Sequence, residues 1–403
     1  MKLAEPIQIN SRTVPNRFVA LPMEANDAEP DGTPSDRTIE RYRNLARGGW
    51  GVIMLEAIAP SEGGKSRNRQ LVLNRKTLPG FSRLIDAIRR EDDRVVVIIQ
   101  LNHAGRYALR PKIAYRHQEL DSWKGITPDT PVLTDKELDE IKKEMIELAE
   151  CAAESGADGA DLKCCHGYLA IELLRPANRR EGNYGGTFEN RARIISGMLE
   201  ALKKPIEKKD FIVGSRISLY EGFEGGLGDD DADDHTVDAP LCDDLTSLLS
   251  MLKAGGASWI CETAGNPYLN PDIVRPHKKD TGRFATMELH HRLAARVKAA
   301  FPEFAVVGTG YTLFGVDFRQ VAEKNLASGM VDLIGLGRQN FADPETPKKI
   351  LNGDEESVRW CKTCPKNNCS YLLRSHMEAG CTINSDYYRE QLKRLKAKEK
   401  KNG

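Results

Sequence analysis

The chain carries no excess of charge of either sign: 59 lysines and arginines stand against 59 aspartates and glutamates. A protein that grips nucleic acid or an anionic membrane concentrates positive charge, so neither is expected as a partner. Long hydrophobic runs are also missing. No stretch reaches the roughly 18 apolar residues that a bilayer span requires. Residues 1–10 contain no basic segment followed by an apolar one, so no signal peptide is expected. Together these absences predict a soluble, cytoplasmic protein. A third absence bears on the fold. No G-x-G-x-x-G occurs anywhere in the chain, and an open dinucleotide-binding sheet needs that turn after its first strand.

What is present is a repeating alternation. Apolar or β-branched runs at 17–21, 51–56, 95–101, 159–163, 211–218, 257–263, 305–308 and 332–335 are expected as strands. Between them, 76–90, 136–155, 190–203, 241–254, 286–300 and 315–328 show apolar residues at three- and four-residue spacing and are expected as helices. Thr134 followed by Glu137 is a capping box opening the second of these helices. Pro344 is expected to start the last helix. Eight strand–helix units in series predict an α/β fold, a closed (β/α)8 TIM barrel, and 403 residues can form one such domain.

A barrel of this kind places its chemistry at the C-terminal ends of the strands. Those positions hold Met23, Glu24, Glu56, Gln100, His103, Lys163, His166, Tyr168 and Arg216, with glycines at 308, 310 and 337. The character changes after residue 355. Four of the nine cysteines, Cys361, Cys364, Cys369 and Cys381, fall within 21 residues, and clustered cysteines in a long chain of this type point to a metal. A basic, helix-prone tail follows. The expected organisation is a barrel over 1–355, a cysteine-rich segment over 356–384 and a basic helical tail over 385–403. The acidic residues 229–234 lack calcium-loop spacing and are expected as a solvated loop.

Seven motifs in order resemble one family. They are Asn16-Arg17 with Pro22-Met23, Gln100 to Arg106 (QLNHAGR), His166 to Leu169 (HGYL), Tyr184-Gly185-Gly186 with Glu189-Asn190-Arg191, Arg216-Ile217-Ser218, Gly337-Arg338, and Asp343-Pro344. The set resembles the old yellow enzyme family, and the cysteine segment resembles its bacterial branch containing 2,4-dienoyl-CoA reductase and trimethylamine dehydrogenase. The resemblance implies an FMN-binding barrel that passes hydride to an activated carbon–carbon double bond of an enone, enoate or enoyl thioester. It places Pro22, Met23, Glu24 and Ala57 at the flavin. Gln100 falls at the flavin pyrimidine edge, where an amide can both donate and accept. Arg216 falls beside N1 and O2, where a fixed cation stabilises reduced flavin. Gly308, Thr309, Gly310, Gly337 and Arg338 fall at the phosphate. Tyr168 aligns with the proton donor, and His166 with Lys163 aligns with the pair that holds the substrate oxygen.

Two positions depart from the family pattern. Lys163 replaces a histidine; it would polarise a carbonyl or pair with Glu24 or Glu56, and it would repel an amine cation. Glu24 replaces a threonine or cysteine near flavin O4, where its ionisation sets the local charge. The cysteine spacing, C-x2-C-x4-C-x11-C, is one residue longer in its middle gap than the branch's [4Fe–4S] pattern, so the cluster is the expectation and four-cysteine zinc the alternative. The branch carries a further FAD- and nucleotide-binding domain after the cluster, whereas 22 residues follow Cys381 here. A short form is therefore expected, reduced by NAD(P)H directly or by an external electron-donor protein; a homo-oligomer is also compatible with the sequence. An amine dehydrogenase or demethylase and a non-catalytic electron-relay flavoprotein are the competing functions. Asn266-Pro267-Tyr268, after the sixth strand, is either a structural turn or a wall of the pocket.

Overall fold

The computed structural model describes residues 1–123, 125–228, 239–275, 282–364 and 367–402. Eight parallel strands close on themselves: Phe18–Ala20, Val52–Ile58, Val96–Leu101, Gly159–Cys164, Ile212–Ser218, Trp259–Thr263, Ala305–Gly308 and Leu333–Leu336. Closure is made by the last strand, which pairs with the first at Ile334↔Phe18 and with the seventh at Leu333↔Val307. An antiparallel pair, Ile7–Ile9 with Arg12–Val14, precedes the first strand.

The strands read as continuous apolar runs because both faces are buried. Alternate residues serve two different cores. Val19, Val52, Met54, Val96, Ile98, Ile212, Trp259, Cys261, Val307 and Leu333 pack together inside the barrel. Their neighbours of opposite parity, among them Phe18, Ile53, Leu55, Val97, Ile99, Val213 and Ile260, pack against the surrounding helices. The helices include Asp36–Arg47, Leu78–Glu91, Asp135–Glu154, Arg193–Lys209, Asp243–Ala254, Arg283–Ala300 and Phe318–Ala327. No helix among the described residues is long and apolar enough to cross a membrane.

The capping box is present: the Glu137 backbone N–H donates to Thr134 Oγ1 at 3.2 Å, and the Thr134 N–H donates to Glu137 Oε2 at 2.9 Å. The expectation for Pro344 fails. The last helix of the barrel opens at Thr346 with Pro347 in its first turn. Pro344 lies in the preceding turn, where its carbonyl accepts the buried Trp50 indole N–H at 2.7 Å. Either proline suits a helix start, and the tertiary contact decides which is used. The helix Asp36–Arg47, capped by Ser35, was not among the sequence expectations. The acidic stretch at 229–234 lies outside the described residues.

Beyond the barrel, Asn368–Arg374 forms a short helix and Asp386–Asn402 a longer one. Leu392 of the latter packs on Leu372 and Ala379. Tyr387 lies beneath the Arg37 guanidinium at 3.9 Å, which joins this helix to the barrel.

Candidate active site

The inward parity of the strands, carried to their C-terminal ends, fills the barrel mouth with polar groups. Gln100 continues the row of Val96 and Ile98, Lys163 that of Gly159 and Asp161, and Arg216 that of Ile212 and Gly214. Register places these residues side by side: Gln100 is opposite Asp161, and Lys163 is opposite Arg216. They open into a cavity of ≈260 Å3. Its wall includes Pro22, Met23, Glu24, Gln100, Lys163, His166, Tyr168, Arg216, Thr309, Gly310, Gly337 and Arg338.

Ala57 and Gly308 are not part of that wall. The Ala57 carbonyl accepts the Gln70 side-chain amide at 2.8 Å, deeper in the second strand and its loop. Gly308 packs against Val331, whose Cγ1 would lie 2.7 Å from an added Cβ. Glu56, one of the partners considered for Lys163, pairs with Arg41 instead and accepts the Ala25 N–H at 3.1 Å.

Two buried polar atoms have no partner among the described residues: Arg216 Nε, whose residue lines the cavity, and Asp161 Oδ2, whose residue lies beneath the lining. Gln100 Nε2 donates to the other Asp161 oxygen at 2.8 Å, leaving the Gln100 carbonyl oxygen clear of that bond. Burial pushes the Asp161 carboxyl up to about 6, against the opposing pull of Gln100, Arg216 and Lys163. A planar ligand edge with both donors and acceptors would satisfy Arg216 and the Gln100 carbonyl oxygen. Elsewhere in the wall, Gly310 has φ 88°, and at Gly337 an added Cβ would meet Met23 Sδ at 3.4 Å. The positive φ at Gly310 needs glycine and leaves the turn free of a side chain, which lets backbone N–H groups approach a phosphate. The seventh-strand turn is braced from behind. Glu262 accepts the Thr309 N–H at 3.2 Å and its hydroxyl at 2.8 Å, and His290 Nδ1 lies 2.7 Å from the other Glu262 oxygen. These residues fit FMN: Gln100 and Arg216 for the pyrimidine edge, and Thr309, Gly310, Gly337 and Arg338 for the phosphate.

Over the cavity sit the groups expected to handle substrate. His166 and Gly167 both have positive φ, 61° and 77°. This left-handed pair reverses the chain after the fourth strand and turns both His166 and Tyr168 into the cavity. His166 Nε2 lies 3.3 Å from Thr263 Oγ1. Burial, then the Arg216 and Lys163 charges, hold the His166 pKa well below the ordinary histidine value, so the imidazole is neutral. The Tyr168 hydroxyl shares a hydrogen bond with the Tyr268 hydroxyl at 2.9 Å and lies 3.5 Å from Glu24 Oε1. Burial, then the Glu24 charge, raises the Tyr168 pKa far above its usual value, so the phenol keeps its proton. Lys163 Nζ lies 3.8 Å from Glu24 Oε1 and 3.9 Å from the Tyr168 ring centre. Burial lowers the Lys163 pKa, and Glu24 opposes that shift.

Several wall residues were not singled out from sequence. Trp123 and Arg67 line the cavity, and Tyr107 stacks on Tyr268 with ring centres 3.8 Å apart. Their one readable signal was position: each lies in a loop after a strand's C-terminal end. Tyr268, left open between turn and wall, is part of the wall.

The cysteine segment touches the same cavity through Cys369. Arg338 Nη1 donates to Asn367 Oδ1 at 3.0 Å, joining the last glycine turn to this segment. Among the described residues, no three His, Cys, Asp or Glu side chains converge closely enough to hold a metal ion.

A barrel with these polar groups at its mouth and these glycine turns defines a flavin-binding α/β enzyme class. The sequence profile of the NADH:flavin oxidoreductase / NADH oxidase family matches residues 2–356, and the chain belongs to that family, the FMN-dependent old yellow enzyme family. An NADH oxidase of Thermoanaerobacter brockii is 29% identical over 386 residues, covering 94% of this chain and 55% of the relative. A metal reductase of Desulforamulus reducens is 27% identical, covering 96% of this chain and 54% of its own length. The chain thus spans about half the length of these relatives. A 2-naphthoyl-CoA reductase solved with 2-naphthoyl-CoA superposes with a TM-score of 0.81 at 23% identity, over 96% of this chain and 58% of that one, a likeness of fold.

Proposed function

We propose that this chain is a cytoplasmic ene-reductase acting on an enone, enoate or enoyl thioester. The observation that carries the reading is the Tyr168 phenol, kept protonated at the cavity wall together with two further donors, His166 and Lys163. Bound FMN, reduced by NAD(P)H or by a separate electron-donor protein, supplies the hydride. The neutral His166 donates a hydrogen bond to the substrate carbonyl oxygen, and Lys163 polarises the same oxygen electrostatically. That draws electron density from the β carbon and stabilises the enolate formed as hydride arrives. Tyr168 then gives its proton to the α carbon, and its hydrogen bond to Tyr268 holds it in position. Gln100 and Arg216 would hold the pyrimidine edge of the flavin, and the Arg216 cation would favour negative charge on that edge. Lys163 and Arg67 in the wall oppose entry of an alkylammonium ion, which weighs against amine oxidation.

A Tyr168→Phe variant tests the assignment. Loss of a positioned general acid should slow reoxidation by alkene by about 10²- to 10⁴-fold, with flavin reduction much less affected. Unchanged reoxidation in a rapid-mixing experiment would remove Tyr168 from the proton step.

The cysteine segment is proposed to hold a [4Fe–4S] cluster, with zinc as the competing occupant. Two thiols already accept backbone N–H groups as ligating thiolates do: Asn368 N to Cys364 Sγ at 3.4 Å and Asn384 N to Cys381 Sγ at 3.4 Å. Burial pushes the Cys369 thiol up to about 11, while Arg338 and the neighbouring Cys361 and Cys364 also act on it electrostatically. Loading would draw the four sulfurs inward.

A further inference from the structure

Among the described residues, six cationic side chains line the cavity, Arg67, Lys163, Arg216, Arg275, Arg338 and Arg374, against one carboxylate, Glu24. FMN accounts for part of this excess. Its phosphate brings two negative charges, and Arg275, Arg338 and Arg374 sense one another electrostatically at that end. Arg216 serves the pyrimidine edge. Lys163 is faced by Glu24. Arg67 shares Glu24 with Lys163, so one carboxylate faces two cations there, and it stands on the substrate side, among Tyr168 and Tyr268.

Arg67 makes its hydrogen bonds to neutral groups, and Glu24 is the carboxylate that acts on it electrostatically. Its Nη1 donates to the Ser66 carbonyl at 2.6 Å, and the guanidinium lies against the Tyr268 hydroxyl. Its Nε is buried and has no partner among the described residues. A guanidinium presents donors in a rigid fork that matches a carboxylate, and one hydrogen-bonded to neutral groups, with its nearby carboxylate shared with a second cation, keeps donors and charge available for a ligand. Arg67 follows the second strand, so it reaches the cavity from a different side of the barrel mouth than His166 and Lys163, which follow or end the fourth.

We infer that Arg67 is a specificity residue that binds a carboxylate carried by the alkene substrate, separate from the carbonyl held by His166 and Lys163. The substrate class is therefore an anionic alkene with two acyl groups, one activating the double bond and one anchoring it. This rests on the ene-reductase reading for its chemistry but not for its binding.

The test uses the FMN-loaded protein and two matched pairs. Monomethyl and dimethyl fumarate differ by one free carboxylate and share an ester that activates the alkene. Monomethyl and dimethyl succinate are their saturated counterparts, and their binding is measured by calorimetry and by the fluorescence of Trp123 in the cavity wall. The wild-type protein should bind monomethyl succinate more tightly than the diester. Arg67→Gln should erase that preference by about 10- to 100-fold, the range for a lost hydrogen bond to a charged group, and Arg67→Lys should restore part of it. The same selective loss should appear in KM for monomethyl fumarate more than in kcat. Equal weakening of both members of a pair, or no preference in the wild type, would overturn the assignment of Arg67. A binding preference that depends on Arg67, with neither fumarate reduced, would support the anion site and overturn the ene-reductase reading.

Discussion

Asp161 shows how much one buried residue can shape the site. Its carboxyl is raised to about 6 by burial, above the usual aspartate value near about 4. A folded state that holds a proton more tightly than the unfolded chain is favoured at low pH. The Asp161 contribution is therefore fully present below about pH 4 and is lost as pH rises through about 6. Asp161→Asn keeps an oxygen acceptor for the Gln100 amide and removes the titration. It should raise stability at pH 8 relative to the parent by on the order of 2 kcal/mol and flatten the profile between pH 4 and 7, read by urea unfolding across that range. An unchanged profile would mean that the carboxyl titrates at its ordinary value. Lys163 and Glu24 show the opposite case, in which two departures from the family pattern stand beside each other at 3.8 Å and compensate in charge.

At the scale of elements, the barrel depends on the absence of side chains at particular points. Gly214 in the fifth strand faces Trp259 in the sixth, and an added Cβ would lie 1.5 Å from the Trp259 ring. Gly214→Ala should cost about 3 kcal/mol or more by overpacking, and the thermal midpoint should fall accordingly. Thr134→Ala, which removes one reciprocal cap of Asp135–Glu154, should cost about 1 kcal/mol. Both sites were legible to different degrees. The cap depends on residues three apart, and it was readable from Thr134 and Glu137 alone. The Gly214–Trp259 fit is set by inter-strand register, which the sequence does not display. The same distinction runs through the site. Gln100, Lys163 and Arg216 follow from strand ends and inward parity, and His166 and Tyr168 lie just past one such end. Glu262, His290 and Arg67 come from distant segments that meet only in the closed barrel. The role of Pro344 is hidden in the sequence because its partner, Trp50, is nearly 300 positions away.

For the whole molecule, the unusual feature is the contact between the barrel mouth and the cysteine segment. Cys369 borders the cavity, and Asn367 is tied to Arg338 of the last glycine turn. Occupancy of the two sites should therefore be coupled. Protein purified anaerobically should contain iron and acid-labile sulfide in about four atoms each per chain, and Cys369→Ser should weaken FMN retention as well as abolish the cluster. Zinc without iron would refute the cluster, and normal FMN retention in the variant would refute the coupling.

The central claim is that this cavity directs hydride from reduced flavin to an activated alkene. It is tested most directly by photoreducing the FMN-loaded protein without oxygen and mixing it with a panel of enones, enoates and enoyl thioesters. At least one class should restore the oxidised flavin spectrum in a single turnover, with one saturated product formed per flavin. Flavin that stays reduced against the whole panel, yet reoxidises at once in air, would contradict it.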